Sequence, residues 1–205
     1  MNQKHHWENV YRTRGLNEVS WYQPRPQVSL DFVRELNIAK DAAIVDVGGG
    51  DSFLVDHLLA LGFTNITVLD ISGVAIEKAK ERLGEKKDLV KWIVSDIMEF
   101  VPETTYDFWH DRAAFHFLTT EEQVAVYFKI AARALSPNGK LVIGTFSENG
   151  PSKCSGLPVK QYSEKSFTAT LKKHFQKIKC IYSDHITPFH TVQQFLFCSF
   201  KKSIN

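Results

Sequence analysis

Val45-Asp46-Val47-Gly48-Gly49-Gly50-Asp51-Ser52 is the stretch of sequence that decides the fold. The apolar run at 43–47 predicts a short strand, and the three glycines predict a tight turn. Residues 52–61 have the pattern of a helix, capped by Asp51 or Ser52 and stopped at Gly62. Glycine lets the backbone approach a ligand closely, and a helix N-terminus presents free N–H groups. A strand–turn–helix unit facing a ligand is therefore expected, although a tight turn without a ligand uses the same residues.

The rest of the chain alternates short apolar runs with segments of helical periodicity. Such alternation predicts an α/β protein with a parallel sheet, because each helix crosses over between neighbouring strands. Helices are predicted near 26–36, after Ser72, and after the capping box at 120–123. The five predicted parallel strands cover 43–47, 66–69, 89–94, 106–110 and 141–146, the last after a turn at 137–139.

The pattern changes after the fifth predicted strand. Residues 149–161 are rich in Gly, Pro and Ser and predict a loop. A helix containing Phe167, Leu171 and Phe175 comes next. The β-like runs 178–183 and 195–200 are too close in sequence for a crossover helix between them. They are therefore expected to pair as an antiparallel hairpin, which completes a sheet of seven strands in one domain, residues 1–205.

Two aspartates end neighbouring strands of the predicted sheet. Asp70 lies twenty-two residues after Gly48, and Asp96 ends the next strand. In nucleotide-binding folds an acid about 20 residues past the glycines accepts the ribose hydroxyls. Asp96 is placed to accept the adenine amino group. The alternatives are a helix cap for Asp70, although Ser72 can cap alone, and a solvated loop residue for Asp96.

The residues after the glycine turn restrict the kind of nucleotide. A dinucleotide fingerprint requires a third glycine at position 53, where the chain has Phe53. A bulky side chain there disfavours a pyrophosphate packed on the helix. A phosphate-binding P-loop is excluded, because no Gly-Lys-Ser or Gly-Lys-Thr comes after the turn.

These motifs together resemble the class I S-adenosylmethionine-dependent methyltransferase family. The resemblance covers nearly the whole chain and is firmest over 44–146. It rests on Asp46-x-Gly48-x-Gly50, Asp70, Ser95-Asp96-Ile97, and Leu-Ser-Pro-Asn-Gly-Lys at 135–140. Ser52 is a minor departure, since many members have Gly there. The family has a doubly wound, Rossmann-like sheet that ends in an antiparallel hairpin, in agreement with the pattern above.

The resemblance implies S-adenosyl-L-methionine as the cofactor and a role for each motif residue. The glycine motif begun by Asp46 would face the amino-acid part of the cofactor, and carboxylates and isoleucines further along would hold the nucleoside. The implied contacts are Gly48 and Gly50 to the amino-acid part, Asp70 to the ribose, Asp96 to the adenine, and Ile71 and Ile97 to the two ring faces.

The N-terminal segment, residues 1–25, resembles one branch of this family. Trp7, Tyr11 and Tyr22 have the spacing of cofactor-contacting aromatics in the lysine methyltransferases of elongation factor and citrate synthase. Folded over the sheet edge as a lid, such rings would exclude water and present π-faces to a sulfonium. The alternative is that they only cover an exposed edge of the core, since aromatic residues dominate burial.

His110-Asp111-Arg112-Ala113-Ala114-Phe115-His116 lies at the end of the fourth strand, beside the expected position of the methyl group. Methyl transfer is a direct displacement that requires an aligned nucleophile and a destination for any proton. His110, Asp111 and His116 are therefore the candidate catalytic residues, and the resemblance to the branch above implies that Asp111 also contacts the cofactor. The alternative is that the histidines satisfy buried backbone groups.

Composition limits the partners. The net charge of +2 gives no basic field for nucleic acid or a membrane surface. No apolar run of about 20 residues and no secretory signal is present, so a soluble, cytoplasmic protein is expected. Cys154, Cys180 and Cys198 lack metal-ligand spacing and leave an odd thiol, so neither a metal site nor a disulfide framework is expected.

Further histidines and a cysteine lie after the fifth strand. The segment around Cys154 is expected to form a mobile part of a substrate lid, with His185 and His190 at the same mouth. The preferred function is methyl transfer to a protein lysine or a small metabolite. The alternatives are a non-catalytic cofactor-binding partner subunit and, less favoured, a nicotinamide-dependent oxidoreductase. The sequence does not indicate the oligomeric state.

Overall fold

A seven-stranded sheet forms the centre of the protein in a computed structural model, which describes residues 3–203. The strands are β1 (Ile44–Val47), β2 (Ile66–Asp70), β3 (Val90–Val94), β4 (Tyr106–Arg112), β5 (Leu135–Phe146), β6 (Lys153–Cys154), β7 (Leu157–Pro158), β8 (Phe175–Ile186) and β9 (Val192–Lys202). The large sheet has the order β3-β2-β1-β4-β5-β9-β8, and β6 and β7 form a separate small hairpin.

The strand directions confirm the predicted architecture. Strands β1 to β5 run parallel to their neighbours, whereas β9 is antiparallel to both β5 and β8. The carboxyl ends of the parallel strands therefore meet at one edge of the sheet, where ligands of open α/β sheets bind.

Within residues 3–203, six α-helices accompany the sheet: α1 (Gln3–Thr13), α2 (Gln27–Glu35), α3 (Leu54–Ala60), α4 (Gly73–Leu83), α5 (Glu121–Ala134) and α6 (Glu164–Leu171). Alternate residues of β4 enter opposite layers of the core. Trp109 packs with residues of α5 and α6, whereas Phe108 packs with residues of α2 and α3. The sheet is therefore covered on both faces, as a doubly wound fold requires. No helix in this described range is long and apolar enough to cross a bilayer.

Strand β5 begins earlier than the sequence predicts. Leu135 pairs with Tyr106 and Lys140 pairs with Phe108, so residues 136–139 bulge out opposite Asp107. The Ser136 hydroxyl donates a hydrogen bond of 2.8 Å to the Asp107 carboxylate. The predicted turn at 137–139 thus lies inside a longer strand, because the bulge lets pairing resume on its far side.

Two predictions after β5 are wrong in detail. Phe175 does not extend helix α6, which ends at Leu171, but begins β8 with its side chain buried. The predicted loop at 149–161 contains the β6–β7 hairpin, whose turn places Ser155 and Gly156 at positive φ values of 48° and 80°. Cys154 is buried beside this turn at 6% exposure.

The expectation that no disulfide joins the cysteines is also wrong. Cys180 and Cys198 form a disulfide with their Cα atoms 4.1 Å apart. They are 18 residues apart in sequence, but the β8–β9 hairpin places them directly opposite each other. Sequence spacing did not reveal this, because the register of the hairpin, and not a local motif, brings the two thiols together. Cys154 is free.

A core substitution tests the two-layer packing. Phe108→Ala should reduce the free energy of unfolding by about 3–5 kcal/mol, because it removes a fully buried ring from the layer that contains α2 and α3. Val126→Ala, on the exposed side of α5, should change it by less than about 0.5 kcal/mol. Urea unfolding followed by circular dichroism measures both, and equal losses would contradict the packing described.

Candidate active site

The glycine turn after β1 is packed too tightly for any side chain. Gly48 has a φ of +66°, and a Cβ there would lie 2.5 Å from the Cβ of Ala114. A Cβ on Gly50, with a φ of +30°, would lie 2.6 Å from Asp70 Oδ2. The Gly48 N–H donates a hydrogen bond of 2.7 Å to the Leu69 carbonyl. The turn is thus held between the ends of β2 and β4. Both positions require glycine, because a side chain would collide with Ala114 or Asp70.

A buried polar network lies under this turn. Asp46 Oδ1 is 2.7 Å from Nδ1 of His110, and His110 Nε2 is 2.8 Å from the Ser29 hydroxyl. All three residues are buried. Both ring nitrogens of His110 are therefore engaged between β1 and α2, and neither His110 nor Asp46 is among the residues lining the pocket above.

The two residues predicted to cap α3 have different roles, since the Ser52 hydroxyl accepts the N–H of Leu54, the first helical residue, at 3.2 Å, whereas Asp51 is engaged elsewhere. The helix begins at Leu54 after Phe53, without a side-chain cap at that residue. Asp51 instead forms a close ion pair with Arg82 of α4, which also binds Asp56 at 3.0 Å. The guanidinium lies 4.1 Å from the centre of the Phe53 ring. Phe53, which stands where a dinucleotide fingerprint would have its third glycine, thus contributes to the contact between α3 and α4.

A pocket opens at the carboxyl ends of β1 to β4. It is lined by Gly48, Asp70, Ile71, Asp96 and Ile97, which the sequence analysis assigned to the cofactor. One oxygen of each aspartate accepts a backbone N–H, Asp70 from Ser72 at 2.8 Å and Asp96 from Met98 at 2.9 Å. The backbone thereby fixes both carboxylates. Ser72 caps α4 by itself, as expected, by accepting the Ala75 N–H.

Burial changes the acidity of Asp70. It raises the pKa of this carboxyl to about 7, and the nearby carboxylates of Asp46 and Glu8 add to the increase. The N–H groups of Ser72 and Gly50 oppose the shift by stabilising the charged form. Asp70 therefore titrates near neutral pH.

Helix α1 lies over the pocket together with the segment that comes after it. The Trp7 ring centre is 5.7 Å from that of Trp21 and 5.0 Å from that of Phe117, both edge-on. Tyr11 lies 6.1 Å from Trp21. Four aromatic rings thus form an interlocked roof, and all four line the pocket. Tyr22 does not join them; its ring contacts Phe53 at 5.8 Å beside a neighbouring cavity.

One carboxylate that the sequence analysis missed fastens this roof. Glu8 of α1 accepts the backbone N–H of Gly73 at 2.8 Å and that of Val74 at 3.3 Å. These are unpaired donors in the first turn of α4, where a negative charge is favoured. The acid one residue after Trp7 is the only sequence signal for this contact.

Asp111 organises the loop after β4 from below. Its Oδ1 accepts the N–H groups of Ala114 and Phe115 at 3.1 and 3.0 Å, and its Oδ2 accepts the Tyr127 hydroxyl at 2.8 Å. These bonds hold the loop while Ala113 adopts a left-handed φ of 66°. Burial raises the pKa of Asp111 to about 6, although the hydrogen bonds from these donors partly lower it. The carboxylate is buried in the core and does not line the pocket.

His116 was predicted from the sequence to be a candidate catalytic residue, whereas no role was predicted for Arg112. Arg112 lines the pocket, donates from Nη1 to the Trp21 carbonyl at 3.0 Å, and has a pKa lowered to about 10 by burial. His116 is fully buried, and its pKa is lowered to about 3 by burial and by the Arg112 charge. Within residues 3–203 neither His116 ring nitrogen has a hydrogen-bond partner.

The residues expected at the pocket mouth are dispersed. Cys154 lines the pocket, and burial raises the pKa of its thiol to about 11, so it remains protonated. His185 donates from Nε2 to the Ser20 carbonyl at 2.6 Å, which ties β8 to the segment before Trp21. His190 is exposed beyond the end of β8.

The fold and the pocket are those of a doubly wound α/β protein with carboxylates at the strand ends and an aromatic roof. Comparison with known proteins shows which domain this arrangement resembles. Residues 45–143 match the family described as a methyltransferase domain. The matched segment is therefore similar to an S-adenosyl-L-methionine-dependent methyltransferase domain.

Curated relatives differ in what they act on. The eEF1A lysine and N-terminal methyltransferase of Mus musculus is 27% identical over 139 residues, 67% of this chain but 19% of that protein. The malonyl-acyl-carrier-protein O-methyltransferase 1 of Ilyobacter polytropus is 29% identical over 169 residues, 77% of this chain and 61% of that protein. This chain therefore spans less than two thirds of the length of either relative.

Solved structures show the same fold. The N-methyltransferase NodS from Bradyrhizobium japonicum WM9, in complex with S-adenosyl-l-homocysteine, matches with a TM-score of 0.72 at 15% identity. The match covers 99% of this chain and 100% of that one. At this identity the likeness concerns the fold alone.

The Glu8 contact can be tested without a ligand. Glu8→Ala should weaken the docking of α1 on α4 by about 1 kcal/mol, because two N–H groups of α4 lose their acceptor. Amide hydrogen exchange in Gln3–Thr13 should become about fivefold faster. The exposed Glu85→Ala is the matched control and should leave this exchange unchanged. Unaltered exchange in the Glu8 variant would show that α1 is held by its aromatic contacts alone.

Proposed function

We propose that the chain transfers a methyl group from S-adenosylmethionine to a small organic acceptor bound beneath α1. The observation that carries this proposal is the roof of Trp7, Tyr11, Trp21 and Phe117, fastened to α4 through Glu8. A roof of interlocked rings excludes water and leaves room for a small molecule rather than for the surface of a folded protein.

The residues at the cofactor end suit an adenosyl group. We infer that the Asp70 carboxylate accepts the ribose hydroxyls and that Asp96 accepts the adenine amino group. Ile71 and Ile97 would enclose the ring. The close packing of Gly48 against Ala114 supports this assignment, because it leaves backbone rather than side chain facing the amino-acid part. Strands β3 and β4 are three strand spacings apart in the sheet, so Asp96, which comes directly after β3, lies about 14 Å from the end of β4.

The acceptor end lies at the end of β4, under the roof. The bound cofactor supplies a methyl group on a positively charged sulfur. The faces of Trp7 and Tyr11 would stabilise that charge and keep water from the methyl group. Tyr11 suits this role as a neutral phenol, since burial and the Asp70 carboxylate hold its pKa well above the usual value.

The three candidate catalytic residues separate into two groups. We infer that Asp111 and His110 are positioning residues, because every acceptor or nitrogen they offer is occupied by β1, α2, α5 or the β4 loop. Asp46, Gly50 and Tyr22 would also be positioning residues, which act through the glycine turn after β1 and the residues packed beside it. His116 differs because both of its ring nitrogens are unpaired and it is neutral, although it too is fully buried and is not among the residues that line the pocket.

A protein lysine is the second candidate acceptor, favoured by the similarity to the eEF1A lysine and N-terminal methyltransferase. A labelling experiment separates the two. Incubation of the chain with a cell extract and methyl-labelled S-adenosylmethionine should place label in the small-molecule fraction. Label in a protein band would favour the lysine acceptor, and no label beside intact cofactor binding would favour the non-catalytic subunit.

The ribose role of Asp70 predicts a defined loss of affinity. Asp70→Asn should weaken S-adenosylhomocysteine binding by about 1–3 kcal/mol, because charge-assisted hydrogen bonds are lost. Asp88→Asn, at an exposed position, should bind as the unaltered chain does. Titration calorimetry measures both affinities. The same affinity in the Asp70 variant would remove this residue from the cofactor site.

The raised pKa of Asp70 also predicts a pH dependence. The ionised carboxylate accepts two hydroxyl bonds, whereas below a pKa of about 7 the group is protonated. Cofactor binding should therefore expel a proton, and affinity should increase from about pH 6 to about pH 8. Calorimetry in two buffers of different ionisation enthalpy counts the released proton. Asp70→Asn should lose this dependence, and proton uptake in the unaltered chain would be the contrary result.

A further inference from the structure

Arg112 is the last residue of β4 and brings a positive charge into the pocket. Its Nη1 donates to the Trp21 carbonyl, and its guanidinium carbon lies 5.2 Å from the centre of the Phe195 ring. Its Nη2 atom is shielded from solvent and has no hydrogen-bond partner in residues 3–203. A charged donor is thus buried and left unused.

Arg82 shows how the same chain normally treats a partly buried guanidinium. Two carboxylates, Asp51 and Asp56, pair with it. No carboxylate in the described part of the chain lies within ion-pair distance of Arg112. The buried Asp46 carboxylate attracts the guanidinium from beyond ion-pair distance, but burial still lowers the pKa of Arg112, so the desolvation is not fully compensated. The arrangement is explained if a ligand supplies the missing anion.

The surroundings of Arg112 do not compete for that role. Among the side chains of residues 3–203 that line the pocket, the other charged ones are Asp70 and Asp96. These end β2 and β3, whereas Arg112 ends β4 on the other side of β1. Beside Arg112, the Cys154 thiol and the His116 ring are uncharged, and both His116 nitrogens are unpaired. The acceptor end therefore combines one free cation with neutral and aromatic walls.

We propose that the methyl acceptor carries a carboxylate, which the guanidinium of Arg112 binds at this end of the pocket while aromatic walls hold its apolar body. The inference rests on the proposed function and specifies its acceptor. A carboxylate matches the planar donor fork of a guanidinium and satisfies the orphaned Nη2. An ammonium group, such as that of a lysine side chain, would meet a like charge there.

Three probes of equal length test the charge preference in the unaltered protein. Hexanoate, hexanamide and hexylamine are titrated into the full chain, with and without saturating S-adenosylhomocysteine, and followed by calorimetry. Hexanoate should bind at least about tenfold more tightly than either neutral or cationic probe. Absence of hexanoate binding, or binding of hexylamine that is equal or tighter, overturns the inference. No variant is needed for this comparison.

Substitution then assigns the preference to one residue. Arg112→Met should weaken hexanoate binding about tenfold or more, whereas Arg112→Lys should retain part of it. Arg133→Met, at an exposed position of α5, is the matched control and should bind hexanoate as the unaltered chain does. Equal hexanoate affinity in a folded Arg112→Met variant overturns the assignment.

The cofactor affinity of each variant is measured in parallel. If S-adenosylhomocysteine binding falls as much as hexanoate binding in Arg112→Met, the guanidinium serves the carboxylate of the cofactor itself, and the inference is wrong. If the unaltered chain does not bind S-adenosylhomocysteine, the proposed function fails, and the probe comparison on the unloaded protein still decides the inference.

N-acetylglycylglycine is the final probe and tests the source of the carboxylate. Tighter binding of hexanoate assigns a small organic acid, and tighter binding of the peptide assigns a peptide C-terminus.

Discussion

The close approach of the glycine turn to the ends of β2 and β4 is the constraint on which the site depends. Gly48 touches Ala114 and Gly50 touches Asp70, so one turn fixes the loop after β4 and a carboxylate of β2 at once. The Asp46–His110–Ser29 network supports the turn from below. Binding and positioning are therefore divided between two layers, with the pocket above the turn and hydrogen-bonded supports beneath it.

The loop after β4 illustrates how this division works. Successive residues of one strand end point to opposite layers of the sheet. Asp111 turns inward and holds the loop through backbone N–H groups and Tyr127, whereas Arg112 lines the pocket. A rigid support under a buried cation is what preorganised recognition requires, since the charge cannot relax away from its ligand.

Periodicity and short motifs in the sequence were sufficient to predict the sheet, its hairpin and the position of Asp70 and Asp96 at the strand ends that line the pocket, because these signals are local. Contacts that depend on register or tertiary packing were not predictable. The Cys180–Cys198 pair, the Glu8 contact to α4 and the opposite directions of Asp111 and Arg112 belong to this class. His110 was considered a candidate for its residue type, yet its burial between Asp46 and Ser29 is visible only in the folded chain.

The positions of the first and last described residues, at opposite ends of the sheet, have a practical consequence for labelling the protein. Gln3, the first described residue, lines the pocket, so a bulky label attached to its side chain would lie at the pocket mouth. Strand β9 runs away from that edge, and Lys202 bonds to the Leu135 carbonyl at the opposite end of the sheet. A label attached at Lys201, the exposed neighbour of Lys202, therefore leaves the pocket entrance unobstructed.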